Sequence, residues 1–208
     1  MVKTPSDTAT CVATSVDNVH LQRKRTLTML GRTNRLVNSH PFTRHRQVTM
    51  YEDDRSIKRC LHHYCRGIDR CDAELVASCY HPDATDDHGT FQGLGVDFAR
   101  YATDRLRTHC EATMHMIGEP CIDYTSVDSA QVETYVQAVH RCRDDNGPYL
   151  ERFGGRYVDR FERRHGEWRI AHRLCIREWD AKEHIEQAFA AGRFTEGRRD
   201  HTDPAYLV

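Results

Sequence analysis

Hydrophobic positions recur with one period in the first half of the chain and with another in the second. Ile57, Leu61, Tyr64 and Ile68 fall at helical spacing, so residues 54–68 read as an amphipathic helix that Asp53 or Asp54 can cap. Gly67 loosens its end. Asp72 caps a second, short helix through Leu75, Val76 and Cys79. Residues 80–89 are polar and turn-rich, with a short strand expected on either side of Gly89. Phe98, Tyr101, Ala102 and Leu106 restore the helical period and predict a third helix over 93–108.

From residue 112 the pattern becomes extended. Residues 112–126 and 130–143 read as two long strands joined by a polar turn at Asp128-Ser129, the second dense in β-branched and aromatic residues. Asp144-Asp145-Asn146-Gly147-Pro148 is a turn. Residues 149–163 and 167–179 follow as two more strands around His165-Gly166, a two-residue hairpin signal. Alternation along the last strand puts Arg173 on the face opposite Trp168, Ile170, Leu174 and Ile176. Residues 181–191 are expected to form a final helix before a polar tail. Helices first, then sequential strands linked by tight turns, predict an α+β domain with its helices on one face of an antiparallel sheet. A doubly wound fold is disfavoured because no helix separates the last strands.

Length and charge divide the chain further. At 208 residues and 38% apolar content it holds one ordinary domain and a segment that does not pack. Residues 1–49 carry eight Lys/Arg against Asp7 and Asp17, a balance of +6. The remainder carries 22 basic and 29 acidic residues, a balance of −7, and the two sum to the net −1. The basic segment is rich in Thr, Ser and Asn and reads as a flexible N-terminal arm. Its spread-out charges, with Phe42 the sole Phe, Tyr or Trp among them, argue against nucleic acid as a partner. Two other readings of the arm are an over-called start, with Met50 opening the compact segment, and an Arg-rich presequence. No apolar run approaches the ~20 residues of a membrane span, and no apolar stretch follows Met1, so a cytoplasmic protein is expected. Nine cysteines with no C-x-x-C pair read as reduced apolar fillers and not as a zinc site.

Three motifs then stand in order. Tyr64-Cys65-Arg66-Gly67-Ile68-Asp69-Arg70-Cys71-Asp72 closes the first helix, Tyr80-His81-Pro82-Asp83-Ala84 follows the second, and Gly155-Arg156-Tyr157-Val158-Asp159-Arg160-Phe161 opens a run that ends at Trp168-Arg169-Ile170-Ala171-His172-Arg173. Together they resemble the SnoaL-like domains of the nuclear-transport-factor-two-like superfamily, over about residues 50–180. The resemblance implies a cone-shaped roll, a curved antiparallel sheet wrapped around N-terminal helices with a deep pocket. Residues 181–208 remain as C-terminal helix and tail. It also implies a homodimer or homotrimer, and no cofactor or metal.

In the dehydratase and dehydrochlorinase branches of that superfamily an Asp late in the first helix pairs with a His on the first long strand. Asp69 matches the Asp and His115 the His. An imidazole titrates near working pH, so it can take a proton in an elimination and return it to the leaving group. A carboxylate on its other nitrogen fixes the tautomer and stabilises the imidazolium. Tyr64 matches a Tyr that would bond a substrate oxygen, and Arg173 a cavity Arg that would stabilise a departing anion. Arg173 has a competing role in a cross-strand ion pair with Asp159 or Glu151. His81, Asp83, Asp86, Asp87 and His88 could be imagined as metal ligands, but a solvated loop or pocket rim is the expected role. Members of the group often carry Asn four residues after the His, and here the position is Glu119, which on a continuing strand shares the face of His115. The expected function is a cofactor-independent lyase, dehydratase-like, or an isomerase acting on a small cyclic apolar substrate. The alternative is a binding or assembly subunit, such as the small subunit of a ring-hydroxylating dioxygenase.

Overall fold

The computed structural model describes residues 41–207, with side chains from residue 50 onward. Residues 1–40 of the basic arm, and the readings attached to them, lie outside the described residues. Helix α1 runs from Pro41 to Arg70 and passes through Met50 without a break, so the last nine residues of the expected arm are helical. Pro41 suits a first helical position, where its missing N–H costs nothing. Extending a helix already nucleated over 54–68 needs no apolar stripe of its own. In the packed part of α1, Ile57, Leu61, Tyr64 and Ile68 are all buried, as their spacing requires.

The end of α1 is built with care. Cys71 takes a left-handed conformation (φ 53°), and the N–H groups of Cys71 and Asp72 bond back to the carbonyls of Ile68 and Gly67 at 3.1 and 2.8 Å. This is a Schellman motif with a cysteine where glycine is usual. A Cβ on Gly67 would stand 2.7 Å from a methyl of Val76, so glycine lets α1 approach α2 (Ala73–Ser78). Asp72 caps α2 by accepting from Leu75 N–H at 2.9 Å. Helix α3 (Gly95–His109) buries Phe98, Ala102 and Leu106.

The strands are β1 (Tyr80–Asp87), β2 (Gln92–Leu94), β3 (Cys110–Ile117), β4 (Cys121–Ser126), β5 (Ser129–Asp144), β6 (Gly147–Arg164) and β7 (Glu167–His184). They form one seven-stranded sheet in the order β2-β1-β7-β6-β5-β3, with β4 also on β5. The fold is α+β, as read from the sequence. The sheet is mixed and not purely antiparallel, because β1 runs parallel to β7. The strand expected over 112–126 is two strands, and both pair with β5. Pro120 lies in the break and has no N–H to give a ladder. The His165-Gly166 hairpin forms as expected, with both residues at positive φ.

Two expectations for β7 are overturned. Its pairing with β6 shifts between Arg160 and Phe161: Phe161 lies opposite Ile170, and Arg160 opposite His172. Ala171 is therefore the extra residue of a β-bulge, which reverses the alternation beyond it. Arg173 consequently shares the inner face with Trp168 and Ile170. The expected helix over 181–191 does not form, because β7 continues to His184 opposite Tyr149. The helix-favouring residues Ala181, Lys182 and Glu183 yield to ladder bonds already propagating along β6. Beyond the strand, residues 198–206 return to the end of α1. Asp203 pairs with Arg70 at 3.2 Å, Tyr206 and His201 both reach Asp72 at 3.0 Å, and Arg199 donates to the Cys110 carbonyl.

Candidate functional site

The Schellman turn fixes the last turn of α1 against β3, and Asp69 lies on that turn. Its Oδ1 sits 2.7 Å from His115 Nδ1, and its Oδ2 accepts the His115 backbone N–H at 2.9 Å. One carboxylate thus grips both the ring and the main chain of the strand residue. An ionised carboxylate only accepts, so Nδ1 carries a hydrogen, and in the neutral ring Nε2 is the nitrogen with the lone pair. The side chains are 10% and 8% exposed, for Asp69 and His115 respectively. Burial alone would raise the Asp69 carboxyl, but the bonds and charge of His115 outweigh it and hold it below the usual carboxylate range.

A second imidazole, not anticipated from the sequence, faces the first. His140 on β5 places its ring centroid 5.5 Å from that of His115. The register puts His115 opposite Ala138 and Thr113 opposite His140, so the two histidines are diagonal neighbours on the inner face. Burial, then the adjacent His115, push His140 down to about 4. It is therefore neutral at pH 7, and its buried Nε2 has no hydrogen-bond partner. The signal lay in the β3–β5 register, which the break at residues 118–120 hides from a reading of β5 alone.

Tyr64 and Arg173 come together, but away from solvent. Arg173 is fully buried and forms a bidentate pair with Asp159, its Nε and Nη2 at 2.8 and 2.7 Å from the two carboxylate oxygens. Its guanidinium carbon lies 4.2 Å from the Tyr64 ring centroid and 4.0 Å from that of Tyr157. Burial works against the cation, yet the Asp159 carboxylate more than offsets it and the guanidinium keeps its charge. The cross-strand pair with Asp159 weighed in the sequence is thus formed. Arg173 Nη1 remains buried and unbonded. Desolvation pushes the Tyr64 phenol well up, so it stays a donor.

The polar loop separates into different roles. His81 Nε2 lies 2.9 Å from the Glu162 carbonyl oxygen, and Asp83 pairs with Arg164 at 2.5 Å. Asp87 accepts from Gly89 N–H and the Gln92 amide. Asp86, by contrast, is buried, and it accepts from the Tyr80 hydroxyl and from His88 Nδ1, each at 2.5 Å. Among the described residues no group of three or more His, Cys, Asp or Glu is placed to hold a metal ion. The eight described cysteines are free thiols, five of them buried.

Glu119 does not share the face of His115. Strand β3 ends at Ile117, and Glu119 points outward to Lys58 with its side chain 77% exposed. A cleft of about 680 Å³ lies on the outer sheet face around Met116, Tyr135, Gly154 and Trp179. Another, of about 560 Å³, lies among Arg70, Glu74, Arg107 and Arg199. Neither contains His115 or Asp69, so neither is the deep pocket that the resemblance implied. No described helix is long and apolar enough to cross a membrane.

Residues 49–174 match the SnoaL-like domain. A search of curated protein sequences returns no match. Among solved structures, a protein from Novosphingobium aromaticivorans assigned as a scytalone dehydratase is 23% identical, with a TM-score of 0.59 over 72% of this chain and 99% of that one. The LinA-type3 hexachlorocyclohexane dehydrochlorinase of Novosphingobium barchaimii is 15% identical, with a TM-score of 0.59 over 72% and 99% of the two chains. A protein from Novosphingobium aromaticivorans assigned as the β subunit of an aromatic-ring-hydroxylating dioxygenase is 19% identical, with a TM-score of 0.51 over 62% and 92%. At these identities the likeness concerns the fold.

Proposed function

The chain belongs to the SnoaL-like domain family, and from that premise we propose that it is a cofactor-independent lyase of the dehydratase kind, or a related isomerase, acting on a small, largely apolar cyclic molecule. The observation that carries this reading is the double grip of Asp69 on the ring and backbone of His115. His115 Nε2 takes the proton from a carbon beside a carbonyl. The electron pair left behind expels a hydroxyl group, and the imidazolium returns the proton to it, so that water leaves. In the isomerase variant the proton returns to another carbon.

Asp69 holds the tautomer and pays for the charge on the ring. Neutral His140, with an unbonded Nε2 across from His115, holds the substrate's oxygen. Tyr64 and Arg173 bind the oxygen or leaving group, through the phenol and through the one guanidinium nitrogen that Asp159 leaves free. The test is a panel of cyclic β-hydroxy carbonyl compounds followed by mass spectrometry for loss of water. Wild-type turnover should fall about 10²–10⁴-fold in His115→Ala, and strongly in Asp69→Asn, with the melting transition retained. Near wild-type turnover in either folded variant rejects the assignment.

A further inference from the structure

Cysteine takes no part in the reaction proposed above, yet two of the free thiols are built into contact. Strands β3 and β5 place Cys110 directly opposite Cys142, and the two sulfurs lie 3.0 Å apart. A bulge brings this about. Between Cys110 and Ala112 the pairing advances two residues on β3 for one on β5, so Glu111 is the extra residue, tied to Arg141 and Arg143 at 3.4 and 2.7 Å. In a regular ladder Glu111 would stand opposite Cys142. With the bulge, both cysteines turn to the inner face, next along it from Thr113 and His140.

Directly paired residues of antiparallel strands have Cα atoms about 4.5–5.5 Å apart, and a disulfide spans about 4.4–6.8 Å, so the backbone need not move for a bond to close. The sulfurs have only about 1 Å to travel. Access is unequal, for Cys110 is part-exposed and Cys142 is buried. The Arg199 side chain, which donates to the Cys110 carbonyl, puts a cation beside the outer thiol. The other neighbouring pair differs: Cys60 and Cys79 are both buried, and each donates to the other's backbone carbonyl at 3.4 Å.

We propose that Cys110 and Cys142 are a redox modification site, oxidised by a small disulfide of the glutathione type to a bridge that clamps the edge strand β3 to β5. The Cys110 thiolate attacks one sulfur of the small disulfide, forming a mixed disulfide and expelling one thiol. Cys142 then attacks the Cys110 sulfur and expels the second. Two protein thiols become one bridge, and one small disulfide is reduced to two thiols, which take up the two protons. Burial, then the bond to Cys142, push the Cys110 thiol up to about 12, so thiolate is scarce at pH 7 and exchange is slow. The site answers sustained oxidation, not a brief pulse. Strand β3 ends the sheet order and carries His115, so the bridge makes covalent a placement otherwise held by the β5 ladder and by Asp69. The proposal stands on the thiols and does not rest on the reading of His115.

The probe is oxidised glutathione, added overnight to reduced full-length protein, followed by blocking of the remaining thiols and peptide mass mapping. The expected product is a link between Cys110 and Cys142 that dithiothreitol reverses, with a melting temperature raised by about 10 °C. Cys142→Ser should instead retain glutathione on Cys110, and neither it nor Cys110→Ser should gain thermal stability. Absence of the link, a link from either position to another cysteine, or an unchanged melting temperature in the linked protein overturns the proposal. So does a Cys110 free of glutathione in Cys142→Ser, or a thermal gain that survives in Cys110→Ser. The wild-type map decides even if a variant fails to fold.

Discussion

Asp159–Arg173 and Asp69–His115 are both contacts between a carboxylate and a nitrogen base on the inner face of one sheet, yet they are built for different ends. In the first, both side chains are completely buried and two nitrogens meet two oxygens. Two tyrosine rings cover the cation. Arginine does not deprotonate, so the charge is permanent and the pair cannot move a proton. In the second, the base can change its charge, a neutral imidazole stands beside it, and both side chains keep a trace of exposure. The lesson is that burial of a charge does not mark chemistry. A partner able to gain and lose a proton does.

The sharpest way to break the comparison is at Asp159. Asp159→Ala strands a buried guanidinium and should cost about 3–5 kcal/mol in urea denaturation. Replacing both members, as Asp159→Leu with Arg173→Met, should recover most of that stability. If Arg173 Nη1 serves a substrate, the double variant will fold and still be slow.

The next effect separates the titrating end from the permanent one. His140 titrates at about 4 when folded and near its ordinary value of about 6.5 when unfolded. The unfolded chain therefore binds more protons between those values, and stability rises with pH across that window. The contribution is complete above pH about 6.5 and lost as pH falls to about 4, a total on the order of 3 kcal/mol. His140→Gln should flatten the pH 4–6.5 slope of the unfolding free energy relative to wild type. An unchanged slope would mean that the ring is not desolvated.

The smallest effect belongs to the exposed pair of Lys58 and Glu119. Glu119→Gln should leave both the melting temperature and turnover unchanged, because an exposed pair is screened. A shifted pH–rate profile would instead place this carboxylate within reach of His115.

Much of this was legible in the residues. The spacing of Ile57, Leu61, Tyr64 and Ile68 gave the packed part of α1, and His165-Gly166 gave a hairpin, because local chemistry decides both. Asp69 and His115 could be matched through a family motif but not through spacing, since 46 positions separate them and only the sheet brings them together. Long-range ladders account for the misses. Pairing with β6 carried β7 past Asp180 into a segment of good helix formers. A bulge inverted Arg173, and the inner-face neighbour of His115 could be found only once β3 and β5 were in register.

The extra residue at Ala171 also marks a point where the strand can lose length without exchanging its faces. Removing it would leave His172 opposite Arg160 and Arg173 opposite Asp159 in a now regular ladder, so the guanidinium would stay inside with its counter-ion. In this stretch of the gene an in-frame loss of that one codon is therefore milder than the same loss within the regular ladder, where every side chain beyond the gap would change face.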